Sequence, residues 1–594
     1  MTEPNVKIER KSFFYRRRKR ELAAIFVAVL AYVSYVLFWK GQSSPIVDTI
    51  NGKLIGSVAK SRTGREYYEY VGIPYAQPPI GNLRFEPPVP AKNWEGVRSA
   101  TTFGAQCYQI DVITSFMLGS ENCLYLNVFV PKHAKDSGKL LPVIFWIYGG
   151  GFQSGTSDIY RPTYFMDEDV VMVSVNYRLG ALGFLNTGDH LLRGNQGMKD
   201  LVLALKWVKN NIQNFSGSPN SVSAFGESAG GGAVHFLMLS PLAKGLIHRG
   251  ISQSGSVLNT WLYSRYPKEQ AQSLAERVNC PTAPSEEMVK CLKQVDTRDI
   301  VRTHIEMTVP PRPRLGKYAP SIEALQDETT FLPEKPLDML RKGKFAHIPW
   351  MTGVDSEEGL PFATEILENS TLIEWANQDL NHFLTRILFL NNSPDRPKDA
   401  PQRLWKYYFG TSRKLHPTES LQGLAEIHGT RFFFLSLHRS TQYHMKHAPV
   451  YLYYYNYPTE FGFLKLMKSL RGKYIPLVET GYELAKHWVY KAFGWEIHRL
   501  GTSHGEEMLL QFSFPFIPGA PVGSSDYEIS RDLIKAWVGF AYNPNTLEFQ
   551  GHKWTPQSST NKTLEYMKIE PNSPGFIVEP FTDQIRLWDE LNIE

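Results

Sequence analysis

The 594-residue sequence is poor in cysteine and carries little net charge outside its first 21 residues. Its four cysteines and 16 histidines include no C-x-x-C or H-x-x-x-H pair, so nothing indicates a zinc site, and we expect no metal. Residues 1–21 hold eight basic and three acidic side chains, which leaves the rest of the chain nearly neutral against a total of +6. We therefore expect no nucleic-acid-binding face.

An uncharged apolar segment, residues 22–39, follows the basic arm 1–21. As a helix it would span about 27 Å, close to the roughly 30 Å hydrocarbon core of a bilayer. The alternative is a cleaved signal peptide, but its apolar region would be shorter, and Phe38 and Trp39 make a poor cleavage site. We favour an uncleaved signal anchor. The positive-inside rule then predicts a single-pass type II membrane protein, with residues 1–21 cytosolic and the remainder luminal or extracellular.

After a short linker, 40–48, the sequence contains no low-complexity stretch and no internal repeat, so we expect one domain at 49–594. Buried strand patterns at 142–147, 170–175 and 449–455 are interleaved with helical patterns such as 200–211. This alternation predicts the α/β class, with a mostly parallel central sheet flanked by helices. The segments 309–314 and 371–447 are interpreted as insertions that shape the entrance to a site.

A G-x-S-x-G sequence at 226–230 places Ser228 between two glycines at the end of the apolar run 222–225. A serine hydroxyl is a poor nucleophile, and it must stand clear of the backbone near a base and near amides that bind an oxyanion. The alternative is an ordinary turn, since the chain has 45 glycines. The upstream context favours the nucleophile.

A glycine run, 149–151, directly follows the predicted strand 142–147. An oxyanion hole takes amides from such a loop and from the residue after the nucleophile. The candidate donors are therefore Gly150, Gly151 and Ala229. The competing use of a glycine run is to bind a nucleotide phosphate, but no Lys-Ser or Lys-Thr pair follows Gly151. We expect no cofactor.

Further segments give the chain a resemblance to the type B carboxylesterase and cholinesterase family of α/β-hydrolases, from about residue 45 to the end. These segments are, in chain order, 72–76 (GIPYA), 83–85 (LRF), 121–127 (ENCLYLN), 176–180 (NYRLG), 194–197 (GNQG), 226–230 (GESAG) and 253–256 (QSGS). The resemblance implies the α/β-hydrolase fold. It also implies a serine carboxylic ester hydrolase that forms an acyl-enzyme intermediate.

The resemblance also nominates the other two members of a catalytic triad. The acid in this family is a glutamate directly before a glycine, which identifies Glu358, with Glu357 as the competitor one residue away. The family's histidine precedes a glycine and an acidic residue, as His504 does. Without the family, the acidic cluster 355–358 would be interpreted as solvated surface. Glu227, beside the nucleophile, is either an electrostatic element of the site or a buried, hydrogen-bonded carboxylate.

Cysteine usage agrees with an oxidising compartment. The resemblance implies disulfides between Cys107 and Cys123 and between Cys280 and Cys291, and the alternative is four reduced thiols. Glycosylation sequons are available on the luminal side, although Asn214 lies close to the preceding predicted helix. The sequons are at Asn214, Asn369, Asn391 and Asn561.

The substrate is predicted mainly from what is missing. Cholinesterases carry a choline-binding tryptophan between the first two cysteines, and residues 107–123 contain none. We therefore expect a small apolar carboxylic ester and poor turnover of choline esters. Phe116 and Met117 either line an apolar pocket or are core packing. No protein partner is predicted.

Two charged pairs match ion pairs that brace this fold, Arg84 with Glu121 and Arg178 with Asp200. A rival hypothesis comes from membrane-anchored relatives that have lost catalysis and act in adhesion or recognition. Such relatives typically lack the serine or the histidine. Both are present here, which favours the enzyme.

Overall fold

The computed structural model of the chain describes residues 45–111, 116–307, 318–412, 414–470, 476–493, 499–515, 517, 519–561, 563–571 and 574–593. The fold below is that of the compact unit Val47–Glu594. The predicted arm 1–21, the predicted span 22–39 and the insertion 309–314 lie outside the described residues. Within the described ranges, no helix is both long and apolar enough to cross a membrane.

The strands begin inside the predicted linker, because the first one starts at Ile46. The described strands are β1 (Ile46–Thr49), β2 (Gly52–Ile55), β3 (Ser57–Lys60), β4 (Glu66–Pro74), β5 (Val97–Ser99), β6 (Gln109–Ile110), β7 (Met117–Leu118), β8 (Tyr125–Pro131), β9 (Leu141–Ile147), β10 (Val171–Val175), β11 (Gly217–Glu227), β12 (Arg249–Gln253), β13 (Trp350–Asp355), β14 (Val450–Tyr455), β15 (Glu548–Phe549), β16 (His552–Lys553), β17 (Glu565–Ile569) and β18 (Gly575–Val578).

Eleven of these strands form one mixed sheet in the order β18-β17-β14-β13-β12-β11-β9-β10-β8-β4-β3. Its centre is parallel from β10 to β17, with Phe225 of β11 paired to Trp146 on one side and to Ile251 on the other. The outer pairings are antiparallel. Every residue of β9, β10 and β13 is buried. Strands covered on both faces need nearly continuous apolar runs, which is the pattern that predicted β9 and β10.

Helices connect and cover the strands. They are α1 (Lys132–Ser137), α2 (Gly180–Phe184), α3 (Gln196–Asn211), α4 (Ala229–Leu239), α5 (Pro267–Arg277), α6 (Ser285–Leu292), α7 (Thr297–Met307), α8 (Pro336–Arg341), α9 (Leu360–Leu367), α10 (Ser370–Gln378), α11 (Leu380–Ile387), α12 (Ala400–Phe409), α13 (Leu421–Gly429), α14 (Leu435–His444), α15 (Phe463–Leu470), α16 (Pro476–Ala492), α17 (Met508–Gln511), α18 (Ser525–Tyr542) and α19 (Thr582–Glu590).

Helix packing explains two of the predicted segments. The predicted helix 200–211 is the main part of α3, which begins four residues earlier. The insertion 371–447 is helical and spans α10 to α14, with a π-helix at Thr430–Phe434 between α13 and α14. Helix α4 packs on β11 and β12, and α18 packs on β9 and β11. The sheet centre is thereby shielded from water.

Both predicted disulfides are present, Cys107–Cys123 and Cys280–Cys291. The sequon side chains of Asn214, Asn369 and Asn391 are exposed, and that of Asn561 is half-buried. Asn214 lies in the turn that directly follows α3, and its Nδ2 donates to the carbonyl of Asp48 at 2.9 Å. Its amide nitrogen is therefore already engaged with the backbone.

Both predicted ion pairs are also formed. Arg84 donates to Glu121 through Nη2 at 2.6 Å and through Nε at 2.8 Å. Arg178 donates to Asp200 through Nη2 at 2.7 Å and Nε at 2.8 Å, and the side chain of Asp200 is fully buried. The backbone amide of Arg178 also donates to Asp200, at 3.0 Å.

Replacing Arg178 with alanine is expected to lower the free energy of unfolding by about 3 to 5 kcal/mol, because it leaves Asp200 as an uncompensated buried charge. The matched control is Arg298→Ala, since Arg298 pairs with Asp296 at the surface, where such pairs contribute little. Thermal or urea unfolding of both variants measures the difference. A normal yield and melting temperature for Arg178→Ala would contradict the assignment.

Candidate active site

Ser228 lies at the turn between the last residue of β11 and the first residue of α4, with a left-handed φ of 58°. Such a conformation costs a non-glycine residue about 1 to 3 kcal/mol and occurs at functional sites. The flanking glycines are sterically required. A Cβ on Gly230 would lie 2.0 Å from the carbonyl oxygen of Ile147, and one on Gly226 would lie 2.3 Å from the backbone of Gly230. The spacing of the glycines is therefore explained by the close approach of α4 to the sheet.

The structure brings Ser228, His504 and Glu358 together in one hydrogen-bonded chain. The hydroxyl Oγ of Ser228 lies 2.9 Å from Nε2 of His504, and Nδ1 of His504 lies 2.6 Å from Oε2 of Glu358. The Glu358 side chain is fully buried, and that of His504 is 16% exposed. With the imidazole neutral, Nδ1–H donates to Glu358, and Nε2 is free to accept the serine proton.

Glu357, the competing candidate, has a different partner. Its Oε2 accepts the backbone amide of Thr502 at 2.9 Å, and its own amide donates to the carbonyl of Thr502 at 3.0 Å. It therefore ties the loop that carries His504 to the end of β13. Of these two glutamates, Glu358 is the one that is hydrogen-bonded to the imidazole.

The glycine loop 149–151 adjoins the nucleophile. A Cβ on Gly149 would lie 2.9 Å from Cβ of Ser228 and 2.7 Å from Oε2 of Glu227. Gly150 and Gly151 both have positive φ, at 100° and 65°. Ala229 is the first residue of α4, so its N–H has no partner within the helix. The candidate oxyanion donors therefore lie on two segments that meet at Ser228.

Glu227 is a second carboxylate at the imidazole, with Oε1 3.2 Å from Nε2 of His504. Burial raises the pKa of Glu227 to about 8, against the opposing effect of His504. Burial lowers the pKa of His504, but the charges of Glu227 and Glu358 outweigh it and raise the value to about 9. The two titrations are linked, because a charge on either group favours the opposite charge on the other. Glu227 is therefore close enough to the imidazole to influence its charge, and it is also buried.

Three further buried carboxyl groups surround the histidine loop, and sequence reasoning missed them as functional candidates. They belong to Asp355, Glu506 and Glu507. Burial raises the pKa of Glu506 to about 7, although Thr459 and Phe463 donate hydrogen bonds to it. The available signal was the position of Asp355 at the carboxyl end of a central parallel strand, where functional groups of α/β proteins gather. Among the described residues, no group of three His, Cys, Asp or Glu side chains is placed to hold a metal ion.

Aromatic side chains form an apolar wall beside the imidazole. The ring of Phe433, in the π-helix, lies 4.6 Å from that of His504 between centroids and 6.1 Å from that of Trp261. The ring of Phe463 approaches Gly505, which follows the histidine. Phe116 is 59% exposed, which excludes core packing for it. The insertion 371–447 thus reaches the site through Phe433.

Comparison with known proteins gives consistent matches. The model of the carboxylesterase family matches residues 43–588. The chain is 37% identical to a carboxylic ester hydrolase of Bombus ignitus, over 96% of this chain and 98% of the relative. It is 33% identical to the juvenile hormone esterase of Tribolium castaneum, over 93% and 94% of the two chains. It is 31% identical to liver carboxylesterase 1 of Oryctolagus cuniculus, over 87% and 88%.

Proposed function

Because the chain belongs to the carboxylesterase family, we propose that it hydrolyses carboxylic esters through Ser228, His504 and Glu358. The family implies the α/β-hydrolase fold, with which the mixed sheet agrees. The observation that carries the proposal is the unbroken hydrogen-bond chain from Ser228 through His504 to Glu358, with contacts of 2.9 and 2.6 Å.

In the acylation step, Oγ of Ser228 attacks the carbonyl carbon of the ester while its proton passes to Nε2 of His504. The tetrahedral intermediate collapses when the ester C–O bond breaks and His504 returns the proton to the departing alkoxide oxygen. An acyl group then remains on Ser228. Glu358 holds the imidazole in the correct tautomer and stabilises it while it is charged.

In the deacylation step, water attacks the acyl carbonyl and gives its proton to His504. The intermediate collapses, the proton returns to Oγ of Ser228, and the carboxylic acid leaves. In both steps the amides of Gly150, Gly151 and Ala229 are the proposed donors to the oxyanion. Loss of one donor of this kind costs about 2.7 to 4 kcal/mol of transition-state stabilisation.

The proposed substrate class is a small apolar carboxylic ester. The support is the aromatic wall formed by Phe433, Trp261 and Phe463. The segment 107–123 lacks a tryptophan that could bind a choline cation. We therefore expect poor turnover of choline esters.

The proposed setting is a type II membrane protein, anchored by residues 22–39, with its ester hydrolase domain on the luminal or extracellular side. Two disulfides support an oxidising compartment. Glycosylation at Asn369, Asn391, Asn561 and Asn214 belongs to the same proposal, and Asn214 is its weakest candidate, because Nδ2 of Asn214 already donates to the carbonyl of Asp48. A purely adhesive role is disfavoured, because nothing in the geometry around Ser228 accounts for a loss of catalysis.

The test is hydrolysis of short-chain p-nitrophenyl esters and of acetylcholine by the full chain in detergent. The expected result is turnover of the p-nitrophenyl esters, with kcat/KM for acetylcholine lower by at least about 100-fold, since a missing cation site forfeits a few kcal/mol. Efficient hydrolysis of acetylcholine would overturn the substrate class. A folded chain that turns over no ester would overturn the function.

A pH prediction follows from the charges around His504. The imidazole must be neutral to accept the serine proton, so kcat/KM falls as the pH drops through the pKa of His504. Burial lowers that pKa, while Glu227 and then Glu358 raise it. Glu227→Gln removes one negative neighbour and lowers the pKa of His504. The acid limb of the profile is therefore expected to move to lower pH, and an unmoved or upward-shifted limb would contradict the assignment.

A further inference from the structure

We propose that Asp355 is a positioning residue for the hydrolysis, which shares one proton with Glu507 while its other atoms hold Glu358 and the histidine loop together. This inference rests on the function proposed above. It concerns a residue that makes no direct contact with the reacting atoms in the proposed mechanism.

Asp355 binds both the triad acid and the loop of the triad base. It is the last residue of β13, and its backbone amide donates to Oε1 of Glu358 at 3.0 Å. Its Oδ2 accepts the backbone amides of Gly505 at 2.8 Å and Glu506 at 3.3 Å. These amides belong to the two residues that follow His504. Asp355 therefore holds Glu358 through its backbone amide and the loop of His504 through its side chain, and so fixes the distance between them.

The remaining oxygen of Asp355 indicates where a proton lies. The carboxyl groups of Asp355 and Glu507 interact through their side chains, and both are fully buried. In the part of the chain that the structure describes, Oδ1 of Asp355 and Oε2 of Glu507 have no hydrogen-bond donor as partner, unless the two carboxyl groups share a proton. Two ionised carboxylates cannot face each other in a buried site, so one proton must lie between them.

The rest of the pair is arranged for one negative charge and one shared proton. Oε1 of Glu507 accepts Nε2 of Gln253 at 2.8 Å and the hydroxyl of Tyr453 at 3.2 Å, and Oδ2 of Asp355 accepts its two amides, so either carboxyl group has donors that stabilise the charge. Burial raises the pKa of both groups, which favours retention of the proton by the pair.

The isosteric variant Asp355→Asn tests the protonation state. Its amide oxygen can still accept from Gly505 and Glu506, and its NH₂ group replaces the O–H donor to Glu507. We expect kcat within about threefold of the wild type. A loss of more than about tenfold would mean that a carboxylate is needed at this position and would overturn the proposal.

The acid limb of the kcat/KM profile gives a second readout. The charged and titratable groups around His504 are Glu227, Glu358, Glu506 and Glu507, besides Asp355 itself. If the pair holds one proton, the asparagine variant keeps the pair's single negative charge on Glu507, and the limb moves by less than about 0.3 pH units. If both carboxylates are ionised, removal of one charge lowers the limb by about one unit or more, which would contradict the proposal.

Asp355→Ala tests the positioning role. It removes the acceptor of the two amides and leaves Glu507 without the partner that shares its proton. Enzyme concentrations are normalised by titrating the active sites with a fluorophosphonate. We expect kcat to fall about 100-fold, because a misplacement of catalytic groups by about 1 Å lowers the rate by about that factor. We expect KM to stay within about threefold of the wild type. A wild-type kcat per titrated site would overturn the role.

The control is Glu323→Ala, which also removes a buried carboxylate that accepts three hydrogen bonds, from Asn195, Lys199 and Phe331. We expect it to lower the melting temperature but to leave kcat per titrated site unchanged. If it lowers kcat as much as Asp355→Ala does, the effect is general destabilisation and the proposal fails.

If Asp355→Ala does not fold, the result for Asp355→Asn alone tests the proposal. A wild-type chain with no labelling and no turnover would refute the proposed function itself, whereas an active wild type with an inactive Asp355→Asn refutes only this inference.

Discussion

Replacing Ser228 with alanine is expected to lower kcat for ester hydrolysis by about 10⁶-fold, with little change in KM, because the nucleophile is lost while the binding surfaces remain. The hydroxyl lies 2.9 Å from Nε2 of His504, and its removal leaves the base without a proton to accept. The residual rate comes from oxyanion stabilisation and binding alone. Initial rates with a p-nitrophenyl ester measure the loss.

The matched control is Ser223→Ala on the same strand. Ser223 is fully buried, and its hydroxyl has no hydrogen-bond partner among the described residues. We expect kcat within about twofold of the wild type and an unchanged melting temperature, since removing an unsatisfied buried hydroxyl is close to neutral. If Ser228→Ala retained more than about 1% of the wild-type kcat, Ser228 could not be the nucleophile.

The second large effect is expected for Glu358→Gln, with a loss of about 10⁴-fold in kcat. Glu358 accepts two N–H donors on separate oxygens, from His504 at 2.6 Å and from the amide of Asp355 at 3.0 Å. Glutamine has only one acceptor oxygen, so its NH₂ group must oppose one of these donors. The imidazole is then driven towards the tautomer that carries its proton on Nε2, which cannot accept the proton of Ser228. Steady-state kinetics at several pH values measure the loss.

Glu357→Gln is the control for this prediction. Among the described residues, its side chain accepts the amide of Thr502, at 2.9 Å, and the oxygen of glutamine can take over that contact. We expect kcat within about threefold of the wild type. The reverse pattern, with Glu357→Gln inactive and Glu358→Gln active, would exchange the two assignments.

Much of the fold could be predicted because the parallel centre of the sheet has a strong sequence pattern. The strands β9 and β10 are buried at every residue, and such strands are mostly apolar. The turn at Ser228 could also be predicted from the sequence, because the structure has no room for a side chain at positions 226 and 230 and the sequence therefore has Gly226 and Gly230 there. These features depend on neighbours in sequence.

Glu358 could be separated from Glu357 only by resemblance to a family. Both glutamates follow β13, and composition and spacing do not distinguish them. Their roles differ because the chain turns after Asp355, so that one carboxylate is directed to His504 and the other to the backbone of Thr502. A turn of this kind has no distinctive local sequence.

The contacts that sequence reasoning missed are between residues far apart in the chain. Asp355 and Glu507 meet because β13 and the histidine loop lie side by side, and no local pattern indicates that two acidic residues share a proton. Phe433 reaches His504 from a π-helix in the insertion 371–447. The apolar pattern of that segment predicts burial, but it does not indicate which ring faces the site.

The central claim is that Ser228 is an activated nucleophile. The most direct measurement is reaction of the full chain with a fluorophosphonate, followed by mass spectrometry of the intact chain and of its peptides. We expect one adduct per chain, located on Ser228 and absent from Ser228→Ala. A folded chain that forms no adduct, or one that carries the adduct on another serine with Ser228 unmodified, would contradict the assignment of Ser228 as the nucleophile.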